Sequence, residues 1–186
     1  MDSLAGHLLI AIPDLNDSNF HQTVVVLFQH DNEGASGVIL NRPSDVTVAK
    51  VWREISEEGE TSDCQCEDFV HVGGPVEGPL IGLHTSLDLA ESPVIPGVFI
   101  SMGRKKLNQL VTQNNQQFKI FSGYSGWGPK QLESEIEQGG WLTLPAKQNH
   151  LFQSPDELWK QVCDQVGNNI LRPHLGKHRP SDPSLN

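Results

Sequence analysis

The sequence predicts an α+β fold, with a mixed, partly barrel-like β-sheet of about seven or eight short strands and about four peripheral helices. Short apolar runs recur along the 186-residue chain, and turn-forming residues such as glycine and proline bound most of them. Helical periodicity is confined to a few segments. Several predicted strands follow one another directly, so the regular alternation of a doubly wound parallel sheet is missing and that fold is the second interpretation.

The N-terminal part is predicted to contain a buried strand followed by a β-hairpin. Residues 6–12 form an apolar run that Pro13 closes. Residues 23–30 are rich in β-branched and aromatic side chains, and residues 37–41 form a further, mostly apolar run. Because only a short, glycine-containing turn at 31–34 separates these two runs, a hairpin is expected.

A helix and an acidic loop are predicted next. Four apolar side chains recur at positions that share one helix face, namely Val48, Val51, Trp52 and Ile55. Asp45 or Thr47 could cap this helix. Residues 54–68 carry seven acidic side chains and, after Arg53, no lysine or arginine follows among them. Because like charges repel, this segment is predicted to be exposed and mobile.

The remaining strands are predicted from short runs bounded by turn signals. These runs lie at 69–72, 80–84, 98–101, 118–121 and 141–144. Turn signals at 73–75 and 92–93 separate the first three of them. Because these strands are short and adjacent in sequence, they fit a mixed sheet better than a repeated strand–helix unit.

Three more helices are predicted. Leucine and valine spacing supports one at 104–113, and proline in the first turn with a glycine stop supports one at 129–139. Glutamates 133, 135 and 137 spread round the second of these helices and are interpreted as a solvated face. Residues 154–157 (SPDE) form a capping box, with proline at the first helical position, that predicts the start of the last helix.

Length and composition indicate one folded domain followed by a polar tail. The chain is long enough for one core, and it contains neither a repeat nor a long internal linker. Residues 1–170 are therefore predicted to be a single domain. Residues 171–186 are polar and proline-rich, so a disordered tail is expected there.

The charge of the chain restricts its partners and its compartment. A net charge of −10 opposes direct binding to nucleic acid or to an anionic membrane. The first apolar run is too short for a signal peptide or a membrane span, and three cysteines do not make a secreted disulfide framework. A cytoplasmic location without a membrane partner is therefore predicted.

Several motifs of enzymes and cofactor sites are incomplete. Residues 123–127 (GYSGW) resemble a nucleophile elbow, but Trp127 stands where the elbow requires glycine. The glycine-rich segments have neither the dinucleotide-binding spacing nor the P-loop spacing. Cys64 and Cys66, with His71 nearby, lack a fourth ligand for structural zinc. Neither a cofactor nor a metal is predicted, and ordinary reduced thiols are expected.

The candidate ligand-binding residues lie at strand ends and in glycine-rich loops. Asn41 and Arg42 follow the predicted hairpin and offer several donors for a carboxylate or a phosphate, although Arg42 could equally pair internally. Backbone N–H groups of residues 123–129, just before a helix, could also hold an anion. Asp31 could orient the ring of His30. The candidate set is His30, Asn41, Arg42, Gly73, Gly74, Ser125, Gly126 and Trp127, and no catalytic residue is assigned.

In this order along the chain, the motifs resemble the YqgE/AlgH family of bacterial proteins. The resemblance covers residues 3–166 and rests on five segments: 6–13, 20–30, 34–43 (GASGVILNRP), 73–76 (GGPV) and 123–141. It implies an α+β fold with a mixed, partly barrel-like sheet and outer helices. Family members carry the label of transcriptional regulator, from a genetic link to alginate synthesis. The resemblance supplies no catalytic residues.

Three functions follow as hypotheses. The first is a regulatory or accessory protein that binds a small anionic ligand or a protein partner at the candidate set, whose loops are expected to converge at one edge of the sheet. The second is an uncharacterised enzyme with a pocket around Asn41, Arg42 and residues 123–127, in which His30 or Ser125 acts with Arg42. The third is direct DNA binding, which the acidic charge and the absence of a helix-turn-helix pattern disfavour.

Overall fold

The chain folds into eleven strands and five helices over the residues that the computed structural model describes, which are 2–55, 64–113 and 116–175, with side chains to residue 168. The strands are β1 (His7–Ala11), β2 (Val24–Asp31), β3 (Gly34–Ile39), β4 (Pro43–Thr47), β5 (Phe69–Val72), β6 (Ile81–His84), β7 (Ser92–Ile95), β8 (Val98–Ser101), β9 (Phe118–Ser122), β10 (Ser125–Trp127) and β11 (Trp141–Pro145). The helices are α1 (Val48–Ile55), α2 (Arg104–Thr112), α3 (Gln131–Glu137), α4 (Gln148–Phe152) and α5 (Leu158–Leu175). The predicted α+β class is confirmed.

The strands form two sheets. A five-stranded sheet has the order β10-β3-β2-β1-β11, and all its neighbouring strands are antiparallel. A six-stranded sheet has the order β4-β5-β9-β6-β8-β7 and is mixed, because β5 and β9 run parallel. Neither sheet closes into a barrel. The polypeptide therefore stacks as layers rather than wrapping one sheet around a single core.

Three hydrophobic clusters hold the layers together. The first lies between the two sheets and is closed by α5, the second lies under α1 and α2, and the third lies between the five-stranded sheet and α3. Alternate residues of β1 divide between the clusters, since Leu8 and Ile10 belong to the first while Leu9 and Ala11 belong to the third. This sheet is buried on both faces, which explains why its strands read as continuous apolar runs.

Most of the predicted elements are confirmed. The hairpin of β2 and β3 forms with a bulge between Leu27 and Gln29, and α1 spans the predicted residues. The backbone N–H of Lys50 donates to the Thr47 hydroxyl at 3.3 Å, so Thr47 acts as the cap of α1. Gly139, with φ of 79°, ends α3 as predicted.

The structure differs from the sequence expectations at five places. Residues 92–95 and 125–127 are the strands β7 and β10, not turns, and neither the strand β4 nor the helix α4 was predicted. Helix α5 begins at Leu158, and Pro155 instead accepts a turn hydrogen bond, so the predicted capping box does not start the helix. β4 and β10 pair with distant segments, β5 and β3 respectively, which local patterns do not record. β7 pairs with the adjacent β8 and was missed because Ser92 and Pro93 were interpreted as a turn.

The structure describes only part of the two segments that were predicted to be mobile or disordered. Cys64 is 6% exposed and packs in the second cluster, so the acidic segment is not exposed along its whole length; residues 56–63 lie outside the described part of the chain. Helix α5 runs to Leu175, so the first five residues of the predicted tail are helical. Residues 176–186 also lie outside the described part of the chain. None of the helices described in the structure is long and apolar enough to cross a bilayer.

Candidate functional site

A cleft of about 550 Å³ opens on the outer side of the five-stranded sheet, between the loop that follows β1 and helix α3. Three aromatic side chains define it: Phe20, Trp127 and Trp141. We call it the aromatic cleft. Its volume lies within the range of about 300–1,000 Å³ that is usual for small-molecule pockets in proteins.

The three rings form one packed cluster. The ring of Phe20 stacks on that of Trp127 at 5.8 Å between centroids and meets the edge of Trp141 at 5.3 Å. The two indoles lie edge to face at 6.0 Å. Trp127 is 5% exposed and Trp141 is 3% exposed, whereas Phe20 is half-buried. The cluster therefore supplies a rigid apolar floor, on which Phe20 is the most accessible ring.

Glu135 fixes both indoles. One carboxylate oxygen, Oε2, accepts the indole N–H of Trp127 at 2.9 Å and that of Trp141 at 2.8 Å. The other oxygen accepts the side-chain amide of Gln131 at 2.9 Å. The interpretation of Glu135 as part of a solvated helix face is therefore wrong. A carboxylate that receives two buried donors holds the rings in one orientation.

The titratable groups that line the aromatic cleft are all acidic. Asp14 and Asp17, both exposed, face it together with Glu135, and no lysine, arginine or histidine is among the lining residues in the described chain. The carboxylate of Asp17 also accepts the backbone N–H of Asn19 at 2.7 Å, which shapes the loop. The cleft thus presents negative charge above an apolar floor, a combination that favours a cation over an anion.

Asn41 and Arg42, from the candidate set, hold the loop that precedes β2. The Asn41 side chain accepts the backbone N–H of Val24 and donates to the carbonyl of Gln22, both at 2.9 Å. The guanidinium of Arg42 donates to two loop carbonyls, of Ser18 at 3.4 Å and His21 at 3.3 Å. These side chains satisfy backbone groups, and neither lines the aromatic cleft.

The glycine-rich loops do converge, and they do so by direct backbone contact. A Cβ atom on Gly73 would meet the carbonyl oxygen of Gly123 at 2.2 Å. The Ser125 side chain is fully buried and donates to the carbonyl of Gly73 at 3.1 Å. A serine that is enclosed and engaged in this way ties β10 to the loop that follows β5. Of the candidate set, only Gly126 and Trp127 line the aromatic cleft.

His30 anchors the N-terminal segment. Its Nδ1 accepts the backbone N–H of Leu4 at 2.8 Å, so the proton of the neutral ring lies on Nε2, which is 3.4 Å from a carboxylate oxygen of Glu133. His30, Ser125 and Arg42 are not joined by hydrogen bonds in the described structure, and none of them lines the aromatic cleft. The grouping that the enzyme hypothesis requires is therefore missing among these side chains.

A second cavity, of about 450 Å³, lies at the edge formed by β4, β5 and β9, beside the segment between α4 and α5. We call it the His71 cavity, after a histidine that is 7% exposed and whose two ring nitrogens have no hydrogen-bond partner of good geometry in the described chain. Burial, and secondarily the charge of Lys119, lower the pKa of His71 to about 4, while the Phe69 carbonyl and Asp68 act weakly in the opposite direction.

Lys119 lines the same cavity. Its ammonium donates to the carbonyl of Gln153 at 3.0 Å, and burial lowers the pKa of Lys119 to about 8 against the opposing charge of Asp68. Lys119 was not among the residues predicted from the sequence, although a lysine inside the short apolar run of β9 is an unusual position for a charge and was a usable signal. No group of three or more histidine, cysteine or acidic side chains in the described ranges could hold a metal ion.

The buried imidazole of His71 predicts loss of stability in mild acid. The unfolded chain takes up a proton near pH 6.5 that the folded chain refuses until about pH 4, so stability falls as pH drops through this window. Burial also lowers the pKa of His84 and His150, which act in the same direction. Urea unfolding should show a lower free energy of unfolding at pH 5 than at pH 7. We expect His71→Gln to reduce this difference by about 2 kcal/mol.

The control for this experiment is His21→Gln, which changes an exposed histidine and should keep the dependence of stability on pH. If His71→Gln loses as much stability between pH 7 and pH 5 as the unmodified chain, the inference that His71 is buried and neutral is wrong.

Comparisons with known proteins agree on one family. A model of the AlgH-like family matches residues 8–171. The chain is 37% identical over 171 residues to a UPF0301 protein of Myxococcus xanthus, covering 90% of this chain and 93% of the relative. It is 34% identical over 206 residues to a UPF0301 protein of Streptomyces avermitilis, covering 100% and 97%.

Two solved structures share the fold. The solution structure of the AlgH protein from Pseudomonas aeruginosa matches with a TM-score of 0.76 at 30% identity, over 97% of each chain. A crystal structure of a Corynebacterium diphtheriae protein matches with a TM-score of 0.70 at 20% identity, over 89% of this chain and 88% of that one. At 20% identity, the second match shows similarity of fold alone.

Proposed function

The chain belongs to the AlgH-like family, and from that premise we propose that it is a regulatory or accessory protein whose aromatic cleft binds a basic segment of a partner protein. No specific function is established for the family. One observation carries the proposal: the aromatic cleft combines three rings with three carboxylates and has no basic side chain among its described lining residues.

Lysine and arginine side chains fit such a surface because they are amphipathic. Their aliphatic stems can pack on the apolar floor, while their charged ends reach the exposed carboxylates of Asp14 and Asp17 at the rim. The accessible ring of Phe20 adds a face on which a cation is attracted. Glu135 is already engaged by three N–H groups, so the rim aspartates carry most of the free negative charge.

The charges of the cleft also rank the other hypotheses. A small anionic ligand would meet carboxylates there without a compensating cation, so a protein partner is the candidate that this cleft favours. Nucleic acid would be repelled in the same way, because its backbone is polyanionic. An enzymatic role lacks support, since His30, Ser125 and Arg42 each serve internal hydrogen bonds in the described structure.

The proposal predicts that Asp14→Asn/Asp17→Asn weakens binding of a lysine- and arginine-rich peptide by about three- to tenfold. Asparagine keeps the shape of both side chains, and at position 17 it keeps an oxygen for the N–H of Asn19. Binding would be followed by tryptophan fluorescence in low salt, to which the two cleft indoles contribute. The matched control is Asp45→Asn/Asp88→Asn, which removes two charges from exposed positions outside the cleft.

A second peptide, with glutamate in place of every basic residue, tests the sign of the charge. We expect the acidic peptide to bind at least tenfold more weakly than the basic one, because like charges across a contact are repulsive. Equal binding of the two peptides, or equal losses for the cleft variant and its control, would show that the cleft does not select a basic segment.

A further inference from the structure

We propose that the His71 cavity is a second binding site, which takes a small carboxylate with an apolar body and holds the carboxylate between Lys119 and the ring of His71. This site is separate from the aromatic cleft and does not rest on the function proposed for that cleft. Its walls are mainly apolar, and they come from Pro43, Val48, Phe69, Phe118, Phe152 and Pro155. A mostly apolar cavity with a few convergent polar groups is the usual form of a small-molecule site.

Strand register brings the two polar groups together. β5 and β9 are parallel neighbours, and His71 lies opposite Phe121. Two residues earlier on β9, Lys119 lies on the same face of the sheet as Phe121, because side chains alternate along a strand. His71 and Lys119 therefore point to the same side, and both line the cavity.

Both groups have unused hydrogen-bonding capacity. The ammonium of Lys119 has three N–H groups and one of them is directed to Gln153. His71 has an exposed fraction of only 7%, yet neither ring nitrogen has a partner of good geometry among the described residues. Buried polar groups are nearly always hydrogen-bonded, so an unpartnered ring that faces a cavity indicates a ligand that supplies the partner. A carboxylate can accept from the ring and from the ammonium at once.

The acidic side chains at the mouth do not reverse this preference. Asp68 and Asp156 also line the cavity, but both are exposed to solvent, whereas Lys119 is partly buried. The same pair of charges interacts about four times more strongly at the effective dielectric constant of a protein than in bulk water. The inner cation therefore dominates the binding of an anion, and the mouth carboxylates orient its charged end inward.

Lys119 opposes folding at neutral pH, which supports a functional reason for its presence. Burial lowers the pKa of Lys119 to about 8, so the charged ammonium is less stable in the folded chain than in the unfolded chain. An apolar side chain at position 119 would avoid that cost. Proteins often keep such unfavourable groups at binding sites, where stability and function compete.

The test uses 3-phenylpropionate, with 3-phenylpropanamide and phenethylamine as neutral and cationic counterparts of similar shape. We expect the acid to bind at millimolar or lower concentration by calorimetry and the other two to bind at least tenfold more weakly. Lys119→Met should weaken binding of the acid at least tenfold, while the melting temperature without ligand stays the same or rises by a few degrees.

The matched control is Lys106→Met, because Lys106 also donates to a backbone carbonyl, that of Ala90 at 2.8 Å, but lies outside the cavity. It should leave the affinity unchanged. His71→Leu provides a second variant, which removes the ring donor without touching the ammonium and should weaken the acid by about threefold or more.

The dependence of binding on pH gives an independent readout. The groups that face Lys119 are His71 on β5 and the two mouth aspartates, and burial lowers the pKa of Lys119 to about 8. Affinity for the acid should therefore fall about tenfold from pH 7 to pH 9. Absence of binding at millimolar concentration, tighter binding of the amide or the amine, or unchanged affinity in both Lys119→Met and His71→Leu would overturn the proposal.

Discussion

Replacing Gly74 with alanine is expected to lower the free energy of unfolding by about 3 kcal/mol or more. Gly74 has φ of +155°, which L side chains rarely adopt. A Cβ atom there would lie 2.3 Å from the carbonyl carbon and oxygen of Tyr124 and 2.4 Å from the backbone nitrogen of Ser125. These are backbone atoms of a neighbouring segment, so a change of side-chain rotamer cannot relieve the overlap. The segments around Gly74 and Tyr124 must therefore move apart.

The matched control is Gly97→Ala. Gly97 also has a positive φ, of +79°, but nothing lies within 4 Å of the added Cβ, so only the backbone penalty of about 1 kcal/mol remains. Urea unfolding followed by circular dichroism would measure both variants under the same conditions. Equal losses of stability for the two variants would show that close backbone approach at Gly74 is not what requires glycine.

The glycine-rich loops around Gly74 were predicted to converge, and they do so through backbone contact. The glycines at 73–74 and 123 were predicted to be turns at a ligand site, and they do come together. Their backbone contact is reinforced by paired hydrogen bonds between Val76 and Tyr124 at 3.0 Å. Gly123 has a positive φ of 70° as well. Whether these loops also contact a ligand stays a prediction.

The sequence predicted the regular elements where burial has a simple periodicity. The limits of β1, β2 and α1 lie within a residue or two of those predicted. Each of these segments carries, in its own residues, the apolar pattern typical of a buried strand or of a helix with one buried face. β10 was missed because it is three residues long and contains a central glycine, so it becomes a strand only by pairing with Ala35 to Gly37. The division into two sheets was missed because pairing between distant segments leaves no local pattern.

The candidate site was harder to predict than the fold. Asn41 and Arg42 carry donors that suit an anion, but the Asn41 amide and one guanidinium nitrogen of Arg42 donate to carbonyls of the loop before β2. Sequence patterns show which groups can form hydrogen bonds, but not which partners the fold supplies. Glu135 illustrates the reverse error, since its spacing on α3 suggested solvent while the indoles that approach it come from β10 and β11.

Glu135→Leu is expected to lower the free energy of unfolding by about 3 kcal/mol. The change leaves two donors, the indole N–H groups of Trp127 and Trp141, buried without the carboxylate oxygen that accepts them at 2.9 Å and 2.8 Å. Each unsatisfied buried donor costs about 1–3 kcal/mol. Leucine has no acceptor to replace the lost one, and the expected loss lies at the lower end of the summed range because the aromatic cleft admits water beside these rings.

Two further variants separate the loss of hydrogen bonds from the change of side chain. Glu135→Gln keeps one oxygen for the indoles and should cost about 1 kcal/mol, mainly through the loss of charge. Glu137→Leu changes an exposed glutamate on the same helix and should stay within about 0.5 kcal/mol of the unmodified chain. Denaturant unfolding and the emission maximum of the folded state would be measured for all three. If Glu135 anchors the aromatic cleft, stability is lost only where the acceptor of the indole N–H groups is removed. Equal stability of the leucine variants at 135 and 137 would contradict that role of Glu135.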